Sequence, residues 1–131
     1  MGDNFMKVLI IDDEPLIRRT LGIAVSLCDW TAYMHDQYAD CAGIIAAHGI
    51  DVLLVDYQMP TVNGLDLIEK LRADGINIPA LVISANVYAI DRNRAKRLDV
   101  FRILSKPPDV KELQNALSEA VTCGDGRHKT D

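Results

Sequence analysis

The stretch that decides the fold of this chain is Asp51-Val52-Leu53-Leu54-Val55-Asp56-Tyr57-Gln58-Met59-Pro60. Its apolar run is too short for a helix and has no polar alternation, which is typical of a strand buried on both faces of a parallel sheet. The run ends in a carboxylate, and the proline and the Asn63-Gly64 pair that follow indicate a loop. The sequence therefore predicts a buried strand whose carboxyl end carries an acidic residue.

Similar short apolar runs recur along the chain and alternate with segments of helical periodicity. The predicted strands cover residues 6–11, 30–34, 52–55, 79–83 and 101–104. A helical segment follows each strand, and the fourth of them is the charged segment from Val87 to Leu98. The order βαβαβαβαβα requires right-handed crossovers. It predicts an α/β fold, a doubly wound five-stranded parallel sheet with helices on both faces.

Length and composition fit one domain with a buried core, because 49% of the 131 residues are hydrophobic. We expect that domain to cover residues 1–123, with a flexible tail or the start of a linker over 124–131. The net charge of -5 opposes nucleic-acid binding by this domain. No apolar segment approaches the roughly 20 residues that span a membrane. The three cysteines fit neither a zinc site nor a disulfide framework, so we expect a cytoplasmic protein with reduced thiols.

Polar residues stand at the ends of four predicted strands. Asp12 and Asp13 follow the first strand, Asp56 follows the third, Ser84 the fourth and Lys106 the fifth. The carboxyl ends of parallel strands meet at one edge of the sheet, where ligands bind in such folds. We therefore expect these five side chains to lie together.

The chemistry of such a set is restrictive, because three carboxylates at close range repel one another and need a cation. Oxygen ligands from carboxylates, water and phosphate favour Mg²⁺. Asp56 has two possible roles: a plain metal ligand, or a nucleophile that forms an aspartyl phosphate. Taken singly, each residue has a simpler explanation, since an Asp at a strand end commonly caps a helix or turn. Only the joint pattern predicts a site.

The order and spacing of these residues resemble the receiver domain of two-component response regulators. The motifs are Val8-Leu9-Ile10-Ile11-Asp12-Asp13-Glu14-Pro15, Asp51 to Pro60, Asn63-Gly64, Ser84-Ala85 and Lys106-Pro107. The resemblance extends from about residue 7 to residue 121. It implies a flavodoxin-like (βα)5 fold with strand order 2-1-3-4-5.

The resemblance also implies a role for each carboxylate. Asp56 would be the phosphoacceptor, taking a phosphoryl group from a histidine of a sensor kinase or phosphotransfer protein. Asp13 and Asp56 would bind Mg²⁺ directly, together with the backbone carbonyl of Gln58, and Asp12 would act partly through water. The domain would then be a signalling switch that catalyses only its own phosphoryl transfer and dephosphorylation.

For the phosphoryl oxygens, the resemblance implies Ser84, Lys106 and the backbone N–H of Ala85 as partners. In the family, phosphorylation draws the Ser or Thr inward, and an aromatic side chain three residues before the Lys turns with it. The face built from the fourth helix, fifth strand and fifth helix is remodelled, which makes it the expected surface for an output partner or a homodimer.

Three departures from the family pattern concern this switch. Ile103 stands at the aromatic position, and Phe101, of the same strand parity but near the strand start, is not expected to substitute fully. Asp99-Val100 replaces a frequent Gly-Ala, so we expect a different loop there, since Asp enters left-handed conformations less readily than Gly. Pro108 stands where Phe is frequent. We expect phosphorylation to be intact and the aromatic signal to be weakened or absent.

Other interpretations remain open at this point. The cationic residues form either a solvated helix face or a docking surface for an acidic partner or a second copy; they are Arg92, Arg94, Lys96, Arg97 and Arg102. A Mg²⁺-dependent phosphatase would carry an acidic residue where Gln58 stands, which opposes that class. A pseudo-receiver, which binds partners without phosphorylation, is favoured by Ile103 and opposed by the complete acidic set.

Overall fold

The computed structural model describes residues 6–126 and contains five strands and five helices. The strands are β1 (Lys7–Ile11), β2 (Thr31–His35), β3 (Val52–Asp56), β4 (Ala80–Ser84) and β5 (Val100–Ser105). The helices are α1 (Pro15–Ser26), α2 (Cys41–His48), α3 (Gly64–Ala73), α4 (Arg92–Arg97) and α5 (Val110–Gly126). All neighbouring strands are parallel, in the order β2-β1-β3-β4-β5. The predicted fold class and strand order are confirmed.

The core lies in two layers, one on each face of the sheet. Leu53 and Val55 of β3 face a cluster that includes the buried side chains of α3, whereas Val52 and Leu54 face the cluster formed with α1 and α5. Every residue of β3 and of β4 is buried. This two-sided burial is the reason that these strands are continuous apolar runs in the sequence.

Side-chain caps fix where several helices begin. Asn63 Oδ1 accepts a hydrogen bond of 2.8 Å from the Asp66 N–H and starts α3. Asp109 Oδ2 accepts from the N–H groups of Lys111 and Glu112, at 3.1 and 3.2 Å, at the start of α5. α5 continues to Gly126, while the expected domain boundary at residue 123 stays a prediction. The remainder of the expected tail, residues 127–131, lies outside the described residues.

The segment from Val87 to Leu98, predicted as one helix, is divided in two. A 3₁₀ turn covers Val87–Ala89, and α4 begins only at Arg92. Ile90 and Asp91 are extended, and Asp91 Oδ1 accepts a hydrogen bond of 3.1 Å from the Arg94 N–H. The prediction was wrong because an Asp side chain that caps a new helix competes with continuation of the old one.

A bulge in β5 overturns the expectation that Phe101 and Ile103 share a face. Ala80 pairs with Val100, but Leu81 pairs with Arg102, so Phe101 is an additional residue in β5. Phe101 therefore packs on the α1 and α5 side, and Ile103 packs on the α3 side. The alternation of a regular strand does not hold across a bulge, and Phe101 does not lie where it can replace an aromatic residue at position 103.

The turn before β5 accepts Asp99 in a left-handed conformation, with φ of 59°. Arg72 supports this turn: its Nε donates to the Leu98 carbonyl at 2.9 Å, and its Nη1 donates to the Ile78 carbonyl at 2.7 Å. Burial lowers the pKa of this guanidinium, which nonetheless remains charged at neutral pH.

Within residues 6–126, no helix combines the length and apolar character needed to cross a bilayer.

Candidate functional site

The carboxyl edge of the sheet brings the predicted acidic residues and the lysine together. One carboxylate oxygen from each of Asp12, Asp13 and Asp56 can be chosen so that all three lie within 4.8 Å of one another. Lys106 Nζ lies 3.2 Å from Asp12 Oδ2 and 3.2 Å from Asp56 Oδ2. Residues far apart in the sequence therefore form one charged cluster.

Strand register explains this convergence. Ile11 pairs with Val55, so Asp12 and Asp56 follow at the same level as β1 and β3 end. Ser84 pairs with Ser105, and the Lys106 N–H donates to the Ser84 carbonyl at 2.9 Å. Lys106 thus follows the end of β5, next to the end of β4, and its side chain extends toward the carboxylates.

Burial disfavours the ionised form of the two carboxylates at the centre of this cluster. The side chain of Asp12 is 0% exposed and that of Asp56 is 1% exposed. Burial raises the pKa of Asp12, against the opposing effects of the Glu14 N–H and of Lys106. Burial, followed by the charge of Asp12, raises the pKa of Asp56 despite the contact with Lys106. A nearby cation would therefore stabilise the ionised form of both carboxylates.

Lys106 supplies part of that positive charge. Its burial favours a low pKa, but a 2.9 Å hydrogen bond to Glu14 Oε1 and the charges of Asp12 and Asp56 outweigh burial and raise the pKa. Lys106 is consequently protonated at neutral pH. One ammonium group faces three carboxylates here, so the cluster retains an excess of negative charge.

The donor set fits a hard divalent cation. Within residues 6–126, Asp12 Oδ2 and Asp56 Oδ2 are buried and have no hydrogen-bond partner beyond the ion pair with Lys106. Asp13 is partly exposed, which leaves one side of the cluster open to water and to a ligand. Mg²⁺ prefers such a set, a few carboxylate oxygens with room for water and phosphate oxygens.

Ser84 and Ala85 lie at the end of β4 and present donors beside this cluster. Ser84 is buried, and its Oγ lies 3.4 Å from Gln58 Oε1. The backbone N–H of Ala85 donates to the same Gln58 oxygen at 3.4 Å. The Gln58 N–H donates to Asp56 Oδ1 at 3.3 Å. Gln58 therefore connects the loop after β3 with the predicted phosphoryl-binding donors.

Two side-chain contacts of the site were not predicted from the sequence. Glu14 was not assigned a role in the site, but its carboxylate binds Lys106. The contacts of the Gln58 side chain with Ser84 and Ala85 were not predicted. Both contacts join segments distant in sequence, so no local pattern reveals them.

The cationic residues of the α4 region do not act as one patch. Arg94 binds Asp66 and Glu69 of α3, at 2.7 and 2.6 Å. Arg102 binds Glu119 of α5 at 2.6 Å. Of the cations of this region, the exposed Arg92, Lys96 and Arg97 make no ion pair with the side chains that the structure describes, those of residues 6–122. These three remain available for a partner.

Comparison with known proteins gives consistent results. Residues 8–118 match the family described as response regulator receiver domain. Sensor histidine kinase RcsC of Escherichia coli strain K12 is 26% identical over 113 residues, which are 86% of this chain and 12% of that protein. Regulator of RpoS from the same strain is 36% identical over 115 residues, 88% of this chain and 33% of that protein. The chain thus spans a third or less of these relatives.

Solved structures show the same architecture. A sensor protein from Polaromonas sp. JS666 superposes with a TM-score of 0.83 at 27% identity, over 89% of this chain and 96% of that one. A response regulator receiver domain protein from Clostridium thermocellum gives a TM-score of 0.82 at 20% identity, over 92% and 98% of the two chains, which supports the fold alone.

The family match extends over most of the described chain, from β1 into α5. The strand order and the acidic edge with Asp12, Asp13 and Asp56 agree with it. Receiver domains are signalling modules of two-component systems, and they partner with histidine kinases or phosphotransfer proteins. On the combined grounds of sequence, topology and the acidic edge, this chain belongs to the response regulator receiver domain family.

Proposed function

We propose that Asp56 accepts a phosphoryl group from a phosphohistidine of a sensor kinase or phosphotransfer protein, in a Mg²⁺-dependent reaction that switches partner binding. The observation that carries this proposal is the position of Lys106 Nζ, 3.2 Å from carboxylate oxygens of both Asp12 and Asp56. A protonated lysine at this place can exchange a carboxylate for a phosphoryl oxygen without entering the core.

In the proposed transfer, a carboxylate oxygen of Asp56 forms a bond to phosphorus while the phosphorus–nitrogen bond of the donor breaks. The electron pair of that bond leaves with the imidazole, which is protonated from solvent. Such transfers depend mainly on positioning and on neutralisation of the charge of the phosphoryl oxygens. Lys106, the hydroxyl of Ser84 and the N–H of Ala85 would hold these oxygens.

Mg²⁺, when bound, would neutralise carboxylate charge and polarise the phosphoryl group. Asp13, Asp56 and the backbone carbonyl of Gln58 would bind it directly, and Asp12 would act partly through water. Asp12 Oδ1 already accepts a 2.9 Å hydrogen bond from the Glu14 N–H, which leaves Oδ2 as the oxygen of Asp12 that can face the ion or its water.

A pseudo-receiver is the second candidate function, and one structural observation favours it. The β5 bulge puts Phe101 on the α5 side of the sheet, so Phe101 does not replace the aromatic residue of the family's switch beside Ile103. The complete set of acidic residues, Ser84 and Lys106 favours phosphorylation instead. The two candidates differ in whether Asp56 is modified at all.

Intact mass measurement after incubation with Mg²⁺ and acetyl phosphate separates the candidates. We expect one acid-stable, base-labile phosphoryl adduct on the wild type, none on Asp56→Asn, and the normal adduct on Asp36→Asn, which changes an exposed aspartate outside the cluster. An unmodified wild type would establish the pseudo-receiver, and an adduct that persists in Asp56→Asn would place the acceptor elsewhere.

We propose that the domain acts in the cytoplasm. Its output surface would be the face formed by α4, β5 and α5. The exposed cations Arg92, Lys96 and Arg97 support binding of an acidic partner or of a second copy there. Light scattering before and after addition of beryllofluoride tests for the homodimer. A molar mass that stays monomeric in both conditions, at the highest soluble concentration, would exclude it.

A further inference from the structure

We propose that the Gln58 side chain takes the place of a phosphoryl oxygen in the unphosphorylated domain and competes with the phosphoryl group for the Ala85 N–H and the Ser84 hydroxyl. This inference rests on the proposed function of Asp56. It assigns a second role to Gln58, separate from its backbone carbonyl.

The geometry at the end of β4 carries this inference. Gln58 Oε1 lies 3.4 Å from Ala85 N and 3.4 Å from Ser84 Oγ, so a single acceptor faces both donors. These are the two donors at the end of β4 that the proposed reaction requires for phosphoryl oxygens. An amide oxygen carries partial negative charge and accepts hydrogen bonds in the same directions as other sp² oxygens.

The backbone position of Gln58 explains how its side chain reaches these donors. Its N–H donates to Asp56 Oδ1, so the residue is held next to the proposed acceptor. From there the side chain extends from the loop after β3 to Ser84 and Ala85 at the end of β4. Gln58 and Ala85 are both exposed, whereas Ser84 is buried beneath them. The side chain can therefore leave toward solvent without disturbing the core.

The competition is expected to be weak enough for the phosphoryl group to win. Both contacts are at the long end of the hydrogen-bond range. The Ser84 hydroxyl has a single proton, and the Asn86 carbonyl at 3.1 Å is a second acceptor for it. A phosphoryl oxygen is charged and forms shorter and stronger bonds than an amide oxygen. Gln58 thus weakens binding of the phosphoryl group without preventing it. No covalent bond of Gln58 forms or breaks.

Binding of beryllofluoride, a phosphoryl mimic, in saturating Mg²⁺ measures this competition. We expect Gln58→Ala and Gln58→Met to lower the dissociation constant about three- to tenfold, the scale of one or two weak hydrogen bonds. Gln58→Met retains the length of the side chain but replaces the amide oxygen with a thioether, which accepts hydrogen bonds only weakly. Gln37→Ala, which truncates an exposed glutamine outside the site, should bind as the wild type does.

The hydrogen bond itself is tested in the absence of any phosphoryl mimic. We expect the amide resonance of Ala85 to shift and its hydrogen exchange to accelerate in Gln58→Ala, and to remain unchanged in Gln37→Ala. An Ala85 amide that does not respond would overturn the inference, and so would unchanged or weaker beryllofluoride binding by Gln58→Ala. Tighter binding by Gln58→Ala alone, without Gln58→Met, would mean simple steric hindrance and also reject it.

Failure of the proposed function gives a different result. In that case the wild type and all variants, including those of Gln58, bind no beryllofluoride and take no phosphoryl group from acetyl phosphate. Measurable binding by the wild type, with no gain in Gln58→Met, removes only the role of the Gln58 side chain.

Discussion

Gly64 lies against the backbone of the residue that we propose as the phosphoacceptor. Its N–H donates to the Tyr57 carbonyl at 2.8 Å, which closes the loop between β3 and α3. A Cβ atom at position 64 would lie 2.7 Å from the Asp56 carbonyl oxygen and 3.0 Å from Tyr57 Cα. The requirement for glycine here is one of space, since the atoms in the way belong to the backbone of β3 and its loop.

Replacement of Gly64 by alanine should therefore destabilise the domain by about 1–3 kcal/mol, the usual cost of overpacking a buried position. Urea unfolding of Gly64→Ala measures this change. The control is Gly43→Ala, in α2, where an added Cβ meets no atom within 4 Å. We expect this control to be stabilised by about 0.5–1 kcal/mol, since alanine favours a helix interior. A Gly64→Ala variant as stable as the wild type would refute the close approach.

Among the elements, α4 is attached to α3 at two points. Near its start, Arg94 Nη2 lies 2.7 Å from Asp66 Oδ1 and 2.6 Å from Glu69 Oε1. At the turn after α4, Arg72 of α3 donates to the carbonyls of Leu98 and Asp99, at 2.9 and 3.4 Å. A helix of six residues gains little from its own hydrogen bonds. These contacts therefore help to determine its position.

The ion pair of Asp66 with Arg94 should depend on pH in a defined direction. The hydrogen bond from Arg94 lowers the pKa of Asp66 below its usual 3.8, against a smaller effect of burial. A lowered folded-state pKa means that the pair stabilises the fold fully above about pH 5. That stability is lost as the pH falls through the folded-state pKa.

A double-mutant cycle of Asp66→Asn and Arg94→Gln, followed by urea unfolding, measures the coupling. We expect less than about 1 kcal/mol at pH 7, since both side chains are partly exposed, and a smaller value at pH 3.5. The matched control cycle uses Arg97→Gln instead of Arg94→Gln, because Arg97 makes no ion pair with any side chain that the structure describes, and its effect should add to that of Asp66→Asn. A coupling that grows on acidification would contradict this assignment.

For the molecule as a whole, the acidic edge affects both the stability of the fold and the proposed function. Asp12, Asp13 and Asp56 lie together at the ends of β1 and β3, and Lys106, which follows β5, binds Asp12 and Asp56. The folded chain thus contains an anionic cluster that the unfolded chain does not have. A ligand that binds only the folded cluster must stabilise the whole domain.

Mg²⁺ should consequently raise the melting temperature of the domain. At a concentration tenfold above the dissociation constant, the expected stabilisation is about 1.4 kcal/mol, which corresponds to a shift of several degrees for a domain of this size. Thermal unfolding with EDTA or with increasing Mg²⁺ provides the measurement. Asp13→Asn should lose most of the shift and Asp36→Asn should retain it. Equal shifts in the two variants would show that the ion binds elsewhere.

Much of this structure follows from the sequence. Short apolar runs predicted β1, β3 and β4, because a strand covered on both faces cannot alternate with polar residues. The strands predicted over 30–34 and 101–104 are also confirmed, as the edge strands β2 and β5, which are mostly only partly buried. The motifs around Asp12, Asp56 and Lys106 indicated the family and with it the strand order, and the placement of these residues at one edge is confirmed. The roles of these residues in phosphoryl transfer stay predictions.

What only the tertiary structure decided depends on contacts between distant segments. The bulge that separates Phe101 from Ile103 arises from the pairing of β5 with β4, which no property of the β5 sequence specifies. The contact of Glu14 with Lys106 joins the chain's first loop to its last strand end. The amide of Gln58 meets the N–H of Ala85 because β3 and β4 end side by side. Local sequence determines which elements form, whereas register and side-chain reach are determined only when the elements pack.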